Sequence, residues 1–121
     1  MNKIEITLEE AKALKHGTTI YHMKNKNADN TAQRWRVNGK VQTWKKDPSK
    51  VNVPVKNGLR YCDYLTEHEL NLVTLWNWKL FDFISDARKY QRELRESGYK
   101  TRLIRFAGIS DPHSIVYFKM K

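Results

Sequence analysis

The residues of this 121-residue chain best suited to chemistry are cations and indoles set close together. The stretch Arg34-Trp-Arg-Val-Asn-Gly-Lys-Val-Gln-Thr-Trp-Lys-Lys46 holds two tryptophans and five arginines or lysines. Guanidinium and ammonium groups contact phosphates without reading sequence, and indoles either stack on bases or fill a core. From Lys24 to Arg60 ten cations stand against two acids, Asp29 and Asp47. A second group runs through Arg88, Lys89, Arg92, Arg95, Lys100, Arg102 and Arg105. Arg88, Arg92 and Arg95 fall at i, i+4 and i+7, the spacing of one helical stripe. The plain alternative is a solvated face with local salt bridges, each contributing at most about 1 kcal/mol.

Catalytic chemistry finds no foothold in the spacing. The histidines, His16, His22, His68 and His113, lie in no metal-ligand pattern, and Cys62 with His68 and Glu69 does not make a zinc site. No glycine-rich loop is built to cradle a phosphate. Asp82 and Asp86 read as a pair at a helix N-terminus, favoured there by the helix dipole. Cys62, beside Tyr61 and without an evident base, reads as a core filler. The expectation is a non-enzymatic protein with no catalytic residue, no metal and no cofactor.

Composition narrows the class further. The formal net charge is +10, with 40% hydrophobic and 12% aromatic residues. That combination gives a core and an electropositive surface, which attracts nucleic acid, anionic membrane or acidic protein. A single cysteine excludes an internal disulfide and fits a reducing compartment. The first residues, MNKIEITLEEAKALKHG, carry no apolar signal-peptide core, and no apolar run approaches the ~20 residues of a membrane span. The expected location is cytoplasmic, with no membrane partner.

These groups must be positioned by short elements. Thr7-Leu-Glu-Glu10 forms a capping box that opens a short helix, with Leu8, Ala11 and Leu14 on one face and Gly17 as its stop. Thr18 to Met23 is strand, and Asn25 to Asn30 is a polar loop. Asn38-Gly39 predicts a two-residue hairpin turn. That register places Trp35, Val37 and Trp44 on one face, and Arg34, Arg36, Val41, Thr43 and Lys45 on the other. Val51, Val53 and Val55 alternate, and Pro54 predicts an edge strand or the end of one; an edge there is open to pairing between chains. Asn57-Gly58 is a further turn, Leu59 to Leu65 a further strand, and Thr66 to Glu69 a second capping box. This much reads as a small SH3-like β-roll.

The remainder predicts a β-α-β-β unit, a helix packed on an antiparallel sheet. Its parts are strand or paired strands over 72–81, a helix capped by Ser85 and ended by Gly98, then strands over 99–106 and 114–120. The fold class is thus α+β. The boundary falls between 1–73 and 74–121, with the two parts closely docked.

Three blocks, LEEAKALKHGTTIYH (8–22), RWRVNGKVQTWKKDPSKVNVPVKNGL (34–59) and YLTEHEL (64–70), resemble a group of small uncharacterised proteins of phages and other mobile elements. The shared pattern is a helix into a strand, a W-V-G-v-tWkrdP hairpin and a vPlkhGL strand. It covers about residues 8–70, and Asn57 departs from the histidine of that pattern. The resemblance implies an SH3-like roll and a phage setting, hence the cytoplasm of a host. It implies no chemistry.

The functional expectation is a small basic binding protein that contacts DNA or RNA through Arg34, Arg36, Lys40, Lys45, Lys46, Lys50, Arg88, Arg92, Arg95 and Arg102. The alternative is a phage protein that binds and inhibits a host nucleic-acid-binding protein or ribonucleoprotein, as an anti-defence or host-takeover factor.

Overall fold

The structure, a computed structural model, describes residues 4–57, 61–106 and 112–120. It is mostly antiparallel β-sheet with few helices. Backbone contacts divide the chain into two compact units, Met1–Asn25 with Gln33–Leu75, and Lys26–Ala32 with Trp76–Lys121.

The first unit opens on α1 (Leu8–Lys12), begun by the expected capping box: Glu10 N–H donates to the Thr7 hydroxyl at 3.1 Å, and Thr7 N–H to the Glu10 carboxylate at 3.2 Å. The helix stops at Ala13, before Gly17. Gly17 instead leads into the sheet, its N–H donating to Val37 O at 2.9 Å. The sheet comprises β1 (Thr19–Lys26), β2 (Ala32–Val37), β3 (Gln42–Thr43), β4 (Val51–Asn57), β5 (Tyr61–Thr66) and β6 (Val73–Thr74). Its order is β3-β4-β2-β1-β6, with β5 on the other side of β4.

The hairpin expected at Asn38-Gly39 does not form, because β2 and β3 pair with β4 rather than with each other. Arg36 faces Lys56 and Val37 faces Val55, while Gln42 faces Asn52 and Thr43 faces Val51. Residues 38–41 therefore stand against Val53 and Pro54 alone, a bulge of two extra residues on one long strand. A type I′ turn needs positive φ at both central residues. Gly39 has it, at 129°, and Asn38 does not.

Pro54 explains the choice. Its carbonyl accepts from Asn38 N–H at 2.8 Å, so its nitrogen faces the same side, where the bulge requires no donor. A Cβ on Gly39 would lie 3.3 Å from Pro54 Cγ. The expected edge strand is thus an interior one, flanked by β5 on one side and by β2 and β3 on the other. Pairing between chains along Val51–Val55 is closed off.

One face of this sheet makes a core of Ile6, Ala11, Ile20, Val37, Val41, Val51, Val53, Val55, Leu65 and Val73, with Leu8, Leu14, Trp35 and Leu70 packed against it. The bulge decides its membership. With no chain reversal, Val41 faces inward with Val37, and Trp44 is exposed rather than joined to Trp35. The Thr66 motif gives a 3-10 helix (Glu67–Leu72) without a side-chain cap. There Thr66 Oγ1 donates to the Glu69 carboxylate, and the Glu67 carboxylate accepts from Val51 N–H at 3.0 Å.

The second unit is β7 (Asn77–Phe81), α2 (Ile84–Glu96), β8 (Tyr99–Phe106) and β9 (His113–Met120), in sheet order β7-β9-β8. Helix α2 starts one residue before Ser85; its N-cap is Phe83, whose side chain has no acceptor for a first-turn N–H. Ser97 and Gly98 close it, Gly98 at φ 91°. Ala87 is fully buried, and Tyr90 meets Phe81 and Phe118 at 5.2 and 5.8 Å. The central strand β9 is buried on both faces from Ser114 to Tyr117. The 26–32 connection is tied to β7: Leu80 N–H donates to Asn30 O at 2.8 Å, and Thr31 bridges to Lys79. The expected polar loop is thus held by backbone bonds, with Asn30 turning through φ 65°. The turn that must join the strands expected over 99–106 and 114–120 lies mostly outside the described residues, as does the one expected at Asn57-Gly58.

Candidate nucleic-acid interface

Alternation along β2, β4 and β5 sends the valines and Leu65 inward, and therefore sends Arg34, Arg36, Pro54, Lys56, Cys62 and Tyr64 outward. Arg36 sits directly across from Lys56, and Lys56 across from Cys62. Two cations opposed on neighbouring strands repel, which costs the fold roughly 0.2–1 kcal/mol. Among the described residues no carboxylate ion-pairs with Arg34, Arg36 or Lys56; Arg36 Nε donates to Gly17 O at a long 3.4 Å. Arg34 and Arg36 are exposed, as the alternation predicts.

The bulge and the loop after β3 extend this surface. An open groove of about 550 Å³ is lined by Lys40, Val41, Gln42, Thr43 and Trp44. Lys40, Lys45, Lys46 and Lys50 are all exposed. The nearby acid, Asp47, is held by its own turn: its carboxylate accepts from the Ser49 hydroxyl and from Ser49 N–H, and those bonds keep its carboxyl below the usual range. Lys12 Nζ donates to Pro48 O and fixes the loop from the other side.

In the second unit Arg88 and Arg92 are exposed on α2, and Arg95 Nε donates to Thr101 Oγ1 at 3.0 Å. Thr101 therefore faces the helix, and Arg102, its neighbour on β8 and paired with Tyr117, faces the other side of the sheet. Arg102 does not join the Arg88–Arg92–Arg95 stripe.

The tryptophans divide by role. Trp78 is buried, Trp35 is half-buried and meets His22 edge-on at 5.1 Å, and Trp76 lies under Lys119 Nζ at 4.7 Å. Trp44 is 44% exposed, and Tyr64 58%. His22 is buried, and its Nδ1 accepts from Lys24 and Asn25 N–H at 3.0 and 2.8 Å. Burial, then the Lys24 charge, holds its pKa below the ordinary value. Cys62, expected in the core, is exposed, because it shares the outward parity of Tyr64. Among the described residues no three His, Cys, Asp or Glu side chains gather as a metal site. No helix among them is long and apolar enough to cross a membrane.

Two members of this surface, Lys56 and Tyr64, were not among the expected contacts. The signal was present in the alternation VNVPVKN: inward valines at 51, 53 and 55 require Lys56 to face out. No protein-family model, no curated protein and no solved structure matches this chain.

Proposed function

We propose that the protein is a small basic, non-enzymatic binding protein whose first unit, an SH3-like roll within an α+β chain of phage type, contacts nucleic acid with its outward sheet face. The observation that carries this reading is the opposed pair Arg36 and Lys56. A like-charge pair without a carboxylate partner weakens the fold, and a bound phosphate backbone reverses that penalty. Arg34, Lys40, Lys45, Lys46 and Lys50 continue the same surface. Arg88 and Arg92 on α2 are a secondary site.

Electrophoretic shift with DNA and RNA across a salt series tests it. Binding should weaken steeply with salt, and the slope should fall as Arg34, Arg36 and Lys56 are changed to Gln together. Absence of binding at low salt sinks the reading. So does a stoichiometric protein partner that survives nuclease treatment of a host lysate, which would set the same cations against an acidic protein surface instead.

A further inference from the structure

Resting on the reading above, we infer that the first unit binds single-stranded nucleic acid, with Trp44 and Tyr64 as stacking platforms for unpaired bases. Among the described residues, the two aromatics are the large exposed rings of the first unit. Tyr64 stands level with Pro54 on one side of β4. Trp44 lies on the other side, two residues beyond Gln42, which is level with Asn52. Two strand spacings across and four residues along put their backbone positions roughly 16 Å apart. Lys40, in the bulge, flanks the path between them, and Arg36 and Lys56 stand two residues beyond Tyr64 at its far end, so phosphates and bases of one short strand meet their complements together.

Single strands fit this surface better than duplex for a geometric reason. In a duplex the base faces are stacked on one another, and an exposed side-chain ring meets only the sugar-phosphate rim. Reading a duplex through its major groove takes a protruding helix or ribbon. The outward face of β2, β4 and β5 presents a pleated sheet, with the short α1 packed into the core on the other face. Surfaces that hold single strands combine a cationic track with exposed aromatics and take about 4–16 nucleotides. The groove beside Trp44, lined on one side by Lys40, joins both elements at one place.

The test compares fluorescence anisotropy of labelled dT15, rU15, a 15-base-pair duplex and heparin, a polyanion without bases. The single strands should bind more tightly than the duplex. Trp44→Ala and Tyr64→Ala should each weaken single-strand binding at least about fivefold, the loss of one stacked base. Heparin affinity should be unchanged, and Trp44→Phe and Tyr64→Phe should restore most of the loss. Both rings are substantially exposed, so thermal melting should report intact folds. The dT15 and rU15 arms tell a DNA strand from an RNA strand, and a preference either way supports the inference. Duplex binding equal to or tighter than single-strand binding overturns it, as do Ala variants that lose nothing or lose heparin equally. In those cases the cationic reading stands. Failure to bind any of the four probes removes both.

Discussion

The two units employ their strand cations differently. In the second, several meet a partner within the fold: Lys79 Nζ lies 5.6 and 5.5 Å from the Phe81 and Tyr90 ring centres, Lys119 covers Trp76, and Arg95 reaches Thr101, while Arg88, Lys89 and Arg92 stay exposed on α2. In the first, Arg36 and Lys56 face each other, and the lysines of the 45–50 loop surround an aspartate already held by its own turn. The cores differ to match. Aliphatic β-branched residues fill the first, and an aromatic cluster of Phe81, Tyr90, Tyr99 and Phe118 gathers under α2. Aromatic faces attract cations, so the ring-rich unit takes up Lys79 and Lys119, whereas a valine core offers no such face to Arg36 and Lys56. The same residue type therefore carries different information in the two halves of one chain.

Breaking the aliphatic core should have the largest effect. Ile20 is fully buried, and Ile20→Ala should cost about 2–5 kcal/mol in urea unfolding. Gly39→Ala comes next. It places a side chain at φ 129° and a Cβ against Pro54, for a loss of about 1–3 kcal/mol by the same measurement.

One substitution made in both units sharpens the comparison directly. Lys79→Met removes a cation from two rings and should destabilise by about 0.5–1 kcal/mol. Lys56→Met relieves Arg36 and should stabilise by roughly 0.2–1 kcal/mol while weakening nucleic-acid binding. Equal signs in thermal melting would erase the distinction.

The smallest effect is on pH. Burial, with the Lys24 charge, disfavours the His22 imidazolium in the fold, so its folded pKa lies below its unfolded value near 6.5. The unfolded chain then binds the proton first. Stability should be complete above about 6.5 and decline as pH falls through and below that value. Melting temperatures between pH 7.5 and 5.5 should show the decline, and His22→Asn, which keeps an acceptor for Lys24 and Asn25 N–H, should flatten it.

Local chemistry was legible without the fold. The Thr7 capping box, the β-α-β-β order of the second half, the αL stop at Gly98 and the outward parity of Arg34 and Arg36 follow from contacts within a few residues. Each needs only a hydroxyl, a period or a glycine in the right place. Helix α2 began earlier than its serine predicted because Ala87 N–H already bonds to Phe83 O at 3.2 Å, and tertiary burial of Ala87 outweighs the missing cap hydrogen bond.

What the chain could not declare by itself was the partner of each strand. Asn38-Gly39 satisfies a hairpin and a bulge equally, since both require a residue free to take positive φ. Long-range pairing with β4 selected the bulge, because the valines at 51, 53 and 55 bury best against Val37 and Val41 together, and because Pro54 leaves a gap in the ladder where extra residues can sit. That choice turned Val41 inward and Trp44 outward, opposed Arg36 to Lys56, and brought Tyr64 to the same face. Sequence settled which residues carry charge and rings; the strand partners, chosen by burial of apolar area across distant segments, settled which of them meet.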